Sequence, residues 1–328
     1  MTTTAHAKSS IWSKLPLVRQ LQQSVGWQRG MLVAGLVIIA IFLLTAAFAQ
    51  WLAPFGYSQL GDSTGTFGAQ LPPGGEHLLG TTVGGYDVLS RVIWGSQTAA
   101  LVIVIAVILS VFAGVFLGLV SGYFGGWLDR VLVVVADAVY AFPSLLLAIV
   151  MSIVISGGRS GLLTGLLAAS ISITVVFIPQ YFRVIRSETV RMKAEAFVES
   201  AKVIGASNTR VMFRHVLRNS TRTLPLILTL NASEAILTLA GLGFLGFGIE
   251  PTAAAEWGFD LNKSISDVAA GIWWTSVFPG AAIVLVVLGI TLVGESLNDL
   301  ADPRLRTRHR ASATSSDATE VDELEKDL

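Results

Sequence analysis

The chain has 328 residues, of which 53% are hydrophobic and only 13% are Asp, Glu, Lys or Arg, and its formal net charge is zero. Charged residues stand at about half the roughly 25% usual in soluble domains, which excludes a soluble enzyme with a conventional surface. Cysteine is absent, which excludes disulfides, thiolate nucleophiles and Cys-based metal sites, and the four histidines (His6, His77, His215, His309) are scattered with no pair at metal-ligand spacing, so a metal site is not expected.

In chain order, residues 1–30 form a basic segment with Lys8, Lys14, Arg19 and Arg29 and no acidic residue. Six predicted membrane spans follow, because a bilayer core requires about 20 apolar residues per helix. Runs 31–48, 98–122, 160–182 and 268–294 hold no charge, 131–155 carries only Asp137, and 223–248 carries only Glu234. The Ala47-Phe48-Ala49 triplet has the form that precedes a signal-peptide cleavage site. The 30 residues before the first run are too long for a typical n-region and five more spans follow, so an uncleaved first helix is the better reading.

Lys and Arg counts set the orientation. The N-terminal segment, the 183–222 loop with nine basic residues against three glutamates, and Arg304, Arg306, Arg308 and Arg310 belong in the cytoplasm. Segments 53–96 and 249–267 hold only Arg91 and Lys263 as basic residues and belong outside. The expected architecture is therefore an all-α integral membrane protein with residues 31–302 as a six-span domain and both termini cytoplasmic. Residues 303–328 form a cytoplasmic tail that is Ser/Thr-rich and then acidic, expected to be disordered.

The 183–222 loop is long enough to expect a function. Phe197, Ala201, Val203, Ile204, Val211, Met212, Val216 and Leu217 recur at three- and four-residue spacing, which predicts two short amphipathic helices broken at Gly205-Ala206-Ser207-Asn208. Such a hairpin can dock a partner; the other reading is that the basic residues only fix topology and touch lipid phosphates. Nucleic acid is disfavoured, since no aromatic platform is interleaved with the charges.

At this loop the sequence Glu199-Ser200-Ala201-Lys202-Val203-Ile204-Gly205 resembles the cytoplasmic signature of the inner-membrane permeases of binding-protein-dependent ATP-binding cassette importers, with Ser in place of the middle Ala. Arg214-His215-Val216-Leu217-Arg218-Asn219 is similar to the dipeptide, oligopeptide and nickel branch. So, in order, are His77-Leu78-Leu79-Gly80-Thr81, Asp87-Val88-Leu89-Ser90-Arg91, Gly122-Tyr123-Phe124-Gly125-Gly126-Trp127-Leu128-Asp129, Ala141-Phe142-Pro143-Ser144, Gly243-Phe244-Leu245-Gly246-Phe247-Gly248 and Asp299-Leu300-Ala301-Asp302-Pro303-Arg304-Leu305. The set resembles the C-type subunit of that branch. Thr82 and Tyr86 stand where the family usually carries Asp and Arg.

The resemblance implies a type I importer fold and a subunit forming half of a translocation pathway with a second homologous permease. Peptides, nickel chelates or other peptide-sized solutes would arrive from an extracytoplasmic solute-binding protein. Two ATPase subunits would use ATP and Mg, docked at Glu199, Ser200, Ala201 and Gly205, with Lys202, Arg210 and Arg214 at the rim. The chain itself lacks a phosphate-binding loop, since none of its six lysines follows Gly; no cofactor is expected on it, and it is not expected to be an enzyme.

Gly114, Gly118 and Gly122 recur every four residues, the spacing that lets membrane helices approach closely. Asp137 and Glu234, with Phe142 and Pro143, are the candidate pathway residues, because a carboxylate in hydrocarbon is costly. They could relay protons in a self-sufficient secondary transporter, neutralise a peptide amino group, or bond a neighbouring helix.

Overall fold

The computed structural model describes residues 27–63, 65–157 and 161–301. The basic positions Lys8, Lys14 and Arg19, the C-terminal arginines from Arg304 onward and the acidic tail lie outside the described residues. Helices α1 (Trp27–Ala47) and α2 (Ala49–Leu52) are followed by a two-stranded antiparallel ribbon, β1 (Gly61–Asp62) and β2 (Gly65–Thr66). Then come α3 (Val88–Phe124), α4 (Gly126–Tyr140), α5 (Ser144–Ser156) and α6 (Leu162–Lys193). A hairpin is made of α7 (Ala196–Val203), α8 (Asn208–Arg210), a π-helical stretch (Val211–Val216) and α9 (Leu217–Ser220). The chain continues through α10 (Leu224–Phe244), α11 (Trp257–Lys263), α12 (Ile265–Ala269) and α13 (Trp274–Ala301).

Five helices, α1, α3, α6, α10 and α13, are long and apolar enough to cross a membrane, and α4 with α5 makes a sixth if that pair counts as one span. The third predicted span is therefore not a single helix: the axis turns by 97° between α4 and α5. Pro143 accounts for the break, because it lacks the N–H that a continuing helix requires and disfavours helical backbone at Phe142.

Two predicted boundaries move for one reason. The uncharged run 98–122 begins ten residues late, since α3 already starts at Val88, and the run 160–182 stops early, since α6 continues to Lys193. Segment 53–96 is thus loop only to Asp87, and loop 183–222 begins with three more turns of α6. Reading spans from uncharged residues left Arg91, Arg183 and Arg186 outside them, whereas each sits within a helix and has a partner: Arg91 meets Asp260, Arg183 meets Asp137 and Arg186 meets Asp129. At the other end of the chain, Gly271, at φ +82°, breaks the 268–294 run, so its first residues fall in α12 and α13 starts at Trp274.

The glycine stripe seats α3 on α6. A Cβ at Gly118 would lie 2.7 Å from the Phe182 carbonyl oxygen, and one at Gly122 would lie 2.8 Å from that of Arg186; Gly114 is equally tight against Tyr181. Small residues here bring the two backbones into contact along three turns. The larger core runs through α3, α5, α6, α10 and α13 around Val102, Ile173, Phe177, Leu239 and Ile290.

The two ends of α3, about 55 Å apart over 37 residues, carry different structures. At its start, residues 53–87 fold over α11 and α12. Asp87 caps α3 by accepting from the Ser90 amide (2.7 Å) and pairs with His77 Nδ1 (2.9 Å). Trp257 Nε1 donates to the Val92 carbonyl and Trp274 Nε1 to that of Thr81. At its finish, Tyr123 meets the α7–α9 hairpin.

Candidate functional site

Two features carry functional geometry: the hairpin and a cavity at the α4–α5 bend. The hairpin breaks where the sequence places the break, with Gly205 at φ +85°, a conformation that favours glycine. Its amphipathic residues divide into two sets. Val198, Ala201, Val211, Met212 and Val216 are buried in a second core with Leu119, Tyr123, Ile185 and Met192. Val203 and Ile204 form the tip and are 81% and 85% exposed.

Most of the apolar face therefore holds the hairpin to this chain instead of facing a partner. Ala201, read from the sequence as a docking residue, is turned inward, where its small side chain fits the packing against α3 and α6. Glu199, Ser200, Lys202, Gly205, Arg210 and Arg214 are exposed. The Tyr123 hydroxyl donates to Asn208 Oδ1 (3.0 Å), Lys193 Nζ donates to the Tyr123 carbonyl (2.6 Å), and the ammonium groups of Lys193 and Lys202 lie over the Tyr123 ring. Sequence reading gave Tyr123 only as part of a motif; its position next to the last residue of α3 carried no sign of this anchoring role.

Beside the hairpin, Asp129 takes a bidentate pair from Arg186 (2.5 and 2.7 Å) and a hydrogen bond from Ser121. This ties α3, α4 and α6 together at that end.

The cavity, of about 200 Å³, is lined by Val139, Tyr140, Phe142, Ser144, Leu147, Val176, Gln180 and Glu234. The structure thus brings Phe142 and Glu234 together across the α4–α5 bend, while Pro143 makes the bend without lining the cavity. Asp137 does not join them. Its Oδ1 accepts from Arg183 Nη2 at 2.7 Å, and the same guanidinium lies 4.4 Å from the Tyr140 ring centroid. Tyr140, Ser144 and Gln180 were not singled out in the sequence. Gln180 had a signal, as the one amide side chain in the uncharged run 160–182, beside Pro179; Tyr140 and Ser144 become neighbours of Glu234 only through the bend.

At the opposite end of the molecule, Arg91 Nε donates to Asp260 Oδ1 (2.7 Å) and its Nη1 to the Tyr57 carbonyl (3.0 Å), both side chains being buried. Burial raises the carboxyl of Asp260 above the usual carboxylate range, and Arg91 opposes that rise. Glu256 is also buried, against Gly243, and caps α11 by accepting from the amides of Gly258 (2.8 Å) and Phe259 (2.7 Å). Loss of water pushes its carboxyl up to about 8 despite those two bonds. The unusual Tyr86 lies under the Arg91 guanidinium, 5.0 Å from ring centroid to carbon, and Thr82 Oγ1 accepts from the Tyr86 amide.

Residues 114–307 match the binding-protein-dependent transport system inner membrane component, and residues 28–73 match the N-terminal transmembrane domain of oligopeptide transport permease C. The chain belongs to the family of binding-protein-dependent inner-membrane transport components. Within it, the chain is homologous to C-type permeases of ATP-binding cassette importers.

It is 35% identical over 275 residues to a dipeptide transport system permease protein of Alkalihalophilus pseudofirmus, covering 84% of this chain and 86% of the relative. It is 33% identical over 314 residues to a glutathione transport system permease protein of Salmonella typhimurium, covering 91% and 97%.

Proposed function

We propose that this chain is the C-type permease of an ATP-driven importer of small peptides, with both termini cytoplasmic. It forms one half of the pathway with a second homologous permease, receives cargo from an extracytoplasmic solute-binding protein, and couples through residues 196–220 to two ATPase subunits that use ATP and Mg. The printed functions of the relatives, dipeptide and glutathione transport, support peptide-sized cargo.

The observation that carries the reading is the exposed Val203–Ile204 tip on a hairpin otherwise locked to the bundle. Leaving two large apolar side chains in water forgoes roughly 1.5–3 kcal/mol each, which a partner groove recovers. Glu199, Ser200 and Lys202 share the exposed side of α7, with Gly205 in the turn, and Arg210 and Arg214 continue beyond it.

The fold gives this contact mechanical consequence. A displaced hairpin carries α6 with it through Ile185 and Met192, and α6 is locked to α3 by the glycine stripe. Gln180 and Val176 on α6 line the cavity, so movement at the tip moves one cavity wall. The reading as a proton-coupled transporter needs Asp137 and Glu234 both to be available, and Asp137 is engaged by Arg183.

Pull-down of the tagged chain in mild detergent, with ATPase activity assayed in the eluate, tests the assignment. Co-purification of a second permease and nucleotide-hydrolysing chains is expected. It should be lost with the pair Glu199→Ala, Gly205→Pro, since proline cannot adopt the φ of +85°. Ile204→Asp leaves the hairpin core intact and should weaken association likewise. A chain that purifies alone and transports in liposomes without ATP would sink the reading.

A further inference from the structure

Asp137 and Glu234 interrupt spans that are otherwise uncharged, and the structure treats them differently. Asp137 has its arginine. Glu234 has no hydrogen-bond or ion-pair partner for its carboxylate among the described residues, and it stands ten residues from either end of α10, about 15 Å from each.

A carboxylate so placed is costly unless it faces a wet cavity or a cation. Glu234 faces the cavity at the bend, and it is the one charged residue in that lining. Around it stand the Tyr140 and Ser144 hydroxyls and the Gln180 amide, whose oxygens can all accept hydrogen bonds. An ammonium group is a compact cation with three donors, and the aromatic ring of Phe142 is a further surface that attracts a cation leaving water, the Tyr140 ring being already engaged by Arg183. A chloride, phosphate or carboxylate would meet an unneutralised negative charge. The volume of about 200 Å³ accommodates one end of a small peptide, several times the roughly 30 Å³ share of a water molecule.

We propose that the Glu234 cavity is a subsite for the ammonium group of the cargo, so that the pathway favours compounds with a free amino terminus. This rests on the reading that the chain lines a translocation pathway, and the test separates the two. Because the chain has no cysteine, Leu147→Cys supplies a single thiol at the cavity lining without touching the polar groups proposed to bind. In the whole transporter, reconstituted in nanodiscs, its labelling by a charged maleimide is followed on the band of this subunit in each nucleotide state. The probes are L-alanyl-L-alanine and its N-acetyl form.

The free dipeptide is expected to slow labelling at least about threefold, and the acetylated one to leave it unchanged. Glu234→Gln should raise the dipeptide concentration needed for protection about tenfold, equivalent to roughly 1.4 kcal/mol, and Glu234→Asp should retain part of the protection. The unprotected labelling rate of each variant reports whether the cavity is still formed. Equal protection by both peptides, or full protection in Glu234→Gln, overturns the ammonium subsite while the pathway reading stands. A thiol that never labels in any nucleotide state overturns both.

Discussion

At the start of α3, Arg91 and Asp260 meet in a site closed to solvent, whereas beyond its far half Arg183 and Asp137 meet with side chains 44% and 56% exposed. Both pairs are 2.7 Å apart, so geometry does not separate them; surroundings do. In the first, removing either partner strands a charge among Tyr57, Tyr86 and α11. In the second, water takes the place of a lost partner. The molecule thus has a cap held by desolvated polar contacts and a hairpin end held by apolar packing, with charges left near the surface.

The largest effect expected from this difference is in Arg91→Met. It leaves Asp260 buried and unpaired, at a cost of roughly 3–5 kcal/mol, read as a drop in the thermal midpoint of the detergent-purified transporter. The double variant Arg91→Met, Asp260→Leu should recover most of that loss, because neither charge is then buried. If the double variant is as unstable as the single, the cap depends on the ion pair for more than compensation of charge.

Glu256 sharpens the same contrast through pH. Its carboxyl, ordinarily near 4.5, is raised to about 8, so the folded state holds the proton more tightly than the unfolded chain. Stability from this group is fully present below about pH 4.5, declines as pH rises through the interval, and is lost above about 8, at on the order of 1.4 kcal/mol per pH unit within the window. Glu256→Gln should flatten that decline and raise the thermal midpoint at pH 8 relative to the parent. An unchanged pH profile in the variant would show that the decline comes from another group.

The sequence made the spans, the hairpin and its hinge legible because each rests on local chemistry: apolar runs, a glycine at a turn, small residues every fourth position. What it hid depends on pairing across the chain. Arg91 and Arg183 lie outside the spans as read from the sequence, yet both stand within helices, bonded to partners 169 and 46 residues away. Asp137 and Glu234 looked alike, each a lone carboxylate in a span, but the fold pairs Asp137 with Arg183 on α6 and puts Glu234 in a cavity with Ser144, beyond the 97° turn at Phe142-Pro143. The hairpin residues were legible as amphipathic, but which side of them faces the bundle follows from Leu119, Ile185 and Met192 on α3 and α6.

The smallest effect is expected at Asp137. Asp137→Asn removes an ion pair whose partners are both about half exposed, worth less than about 1 kcal/mol, and Arg183 keeps its place over the Tyr140 ring at 4.4 Å. Asp129→Asn should cost more, since it loses a bidentate arginine and the Ser121 hydroxyl together and its side chain is 18% exposed. Thermal midpoints of the two variants, measured side by side at two salt concentrations, test that ranking. Screening should erase what little Asp137→Asn costs and spare most of the loss in Asp129→Asn. If Asp137→Asn instead destabilised as strongly as Arg91→Met, the Arg183 pair would be holding the α4–α5 bend itself. The division between a desolvated cap and a solvated hairpin end would then fail at the cavity, where Glu234 needs the bend to bring Tyr140 and Ser144 to it.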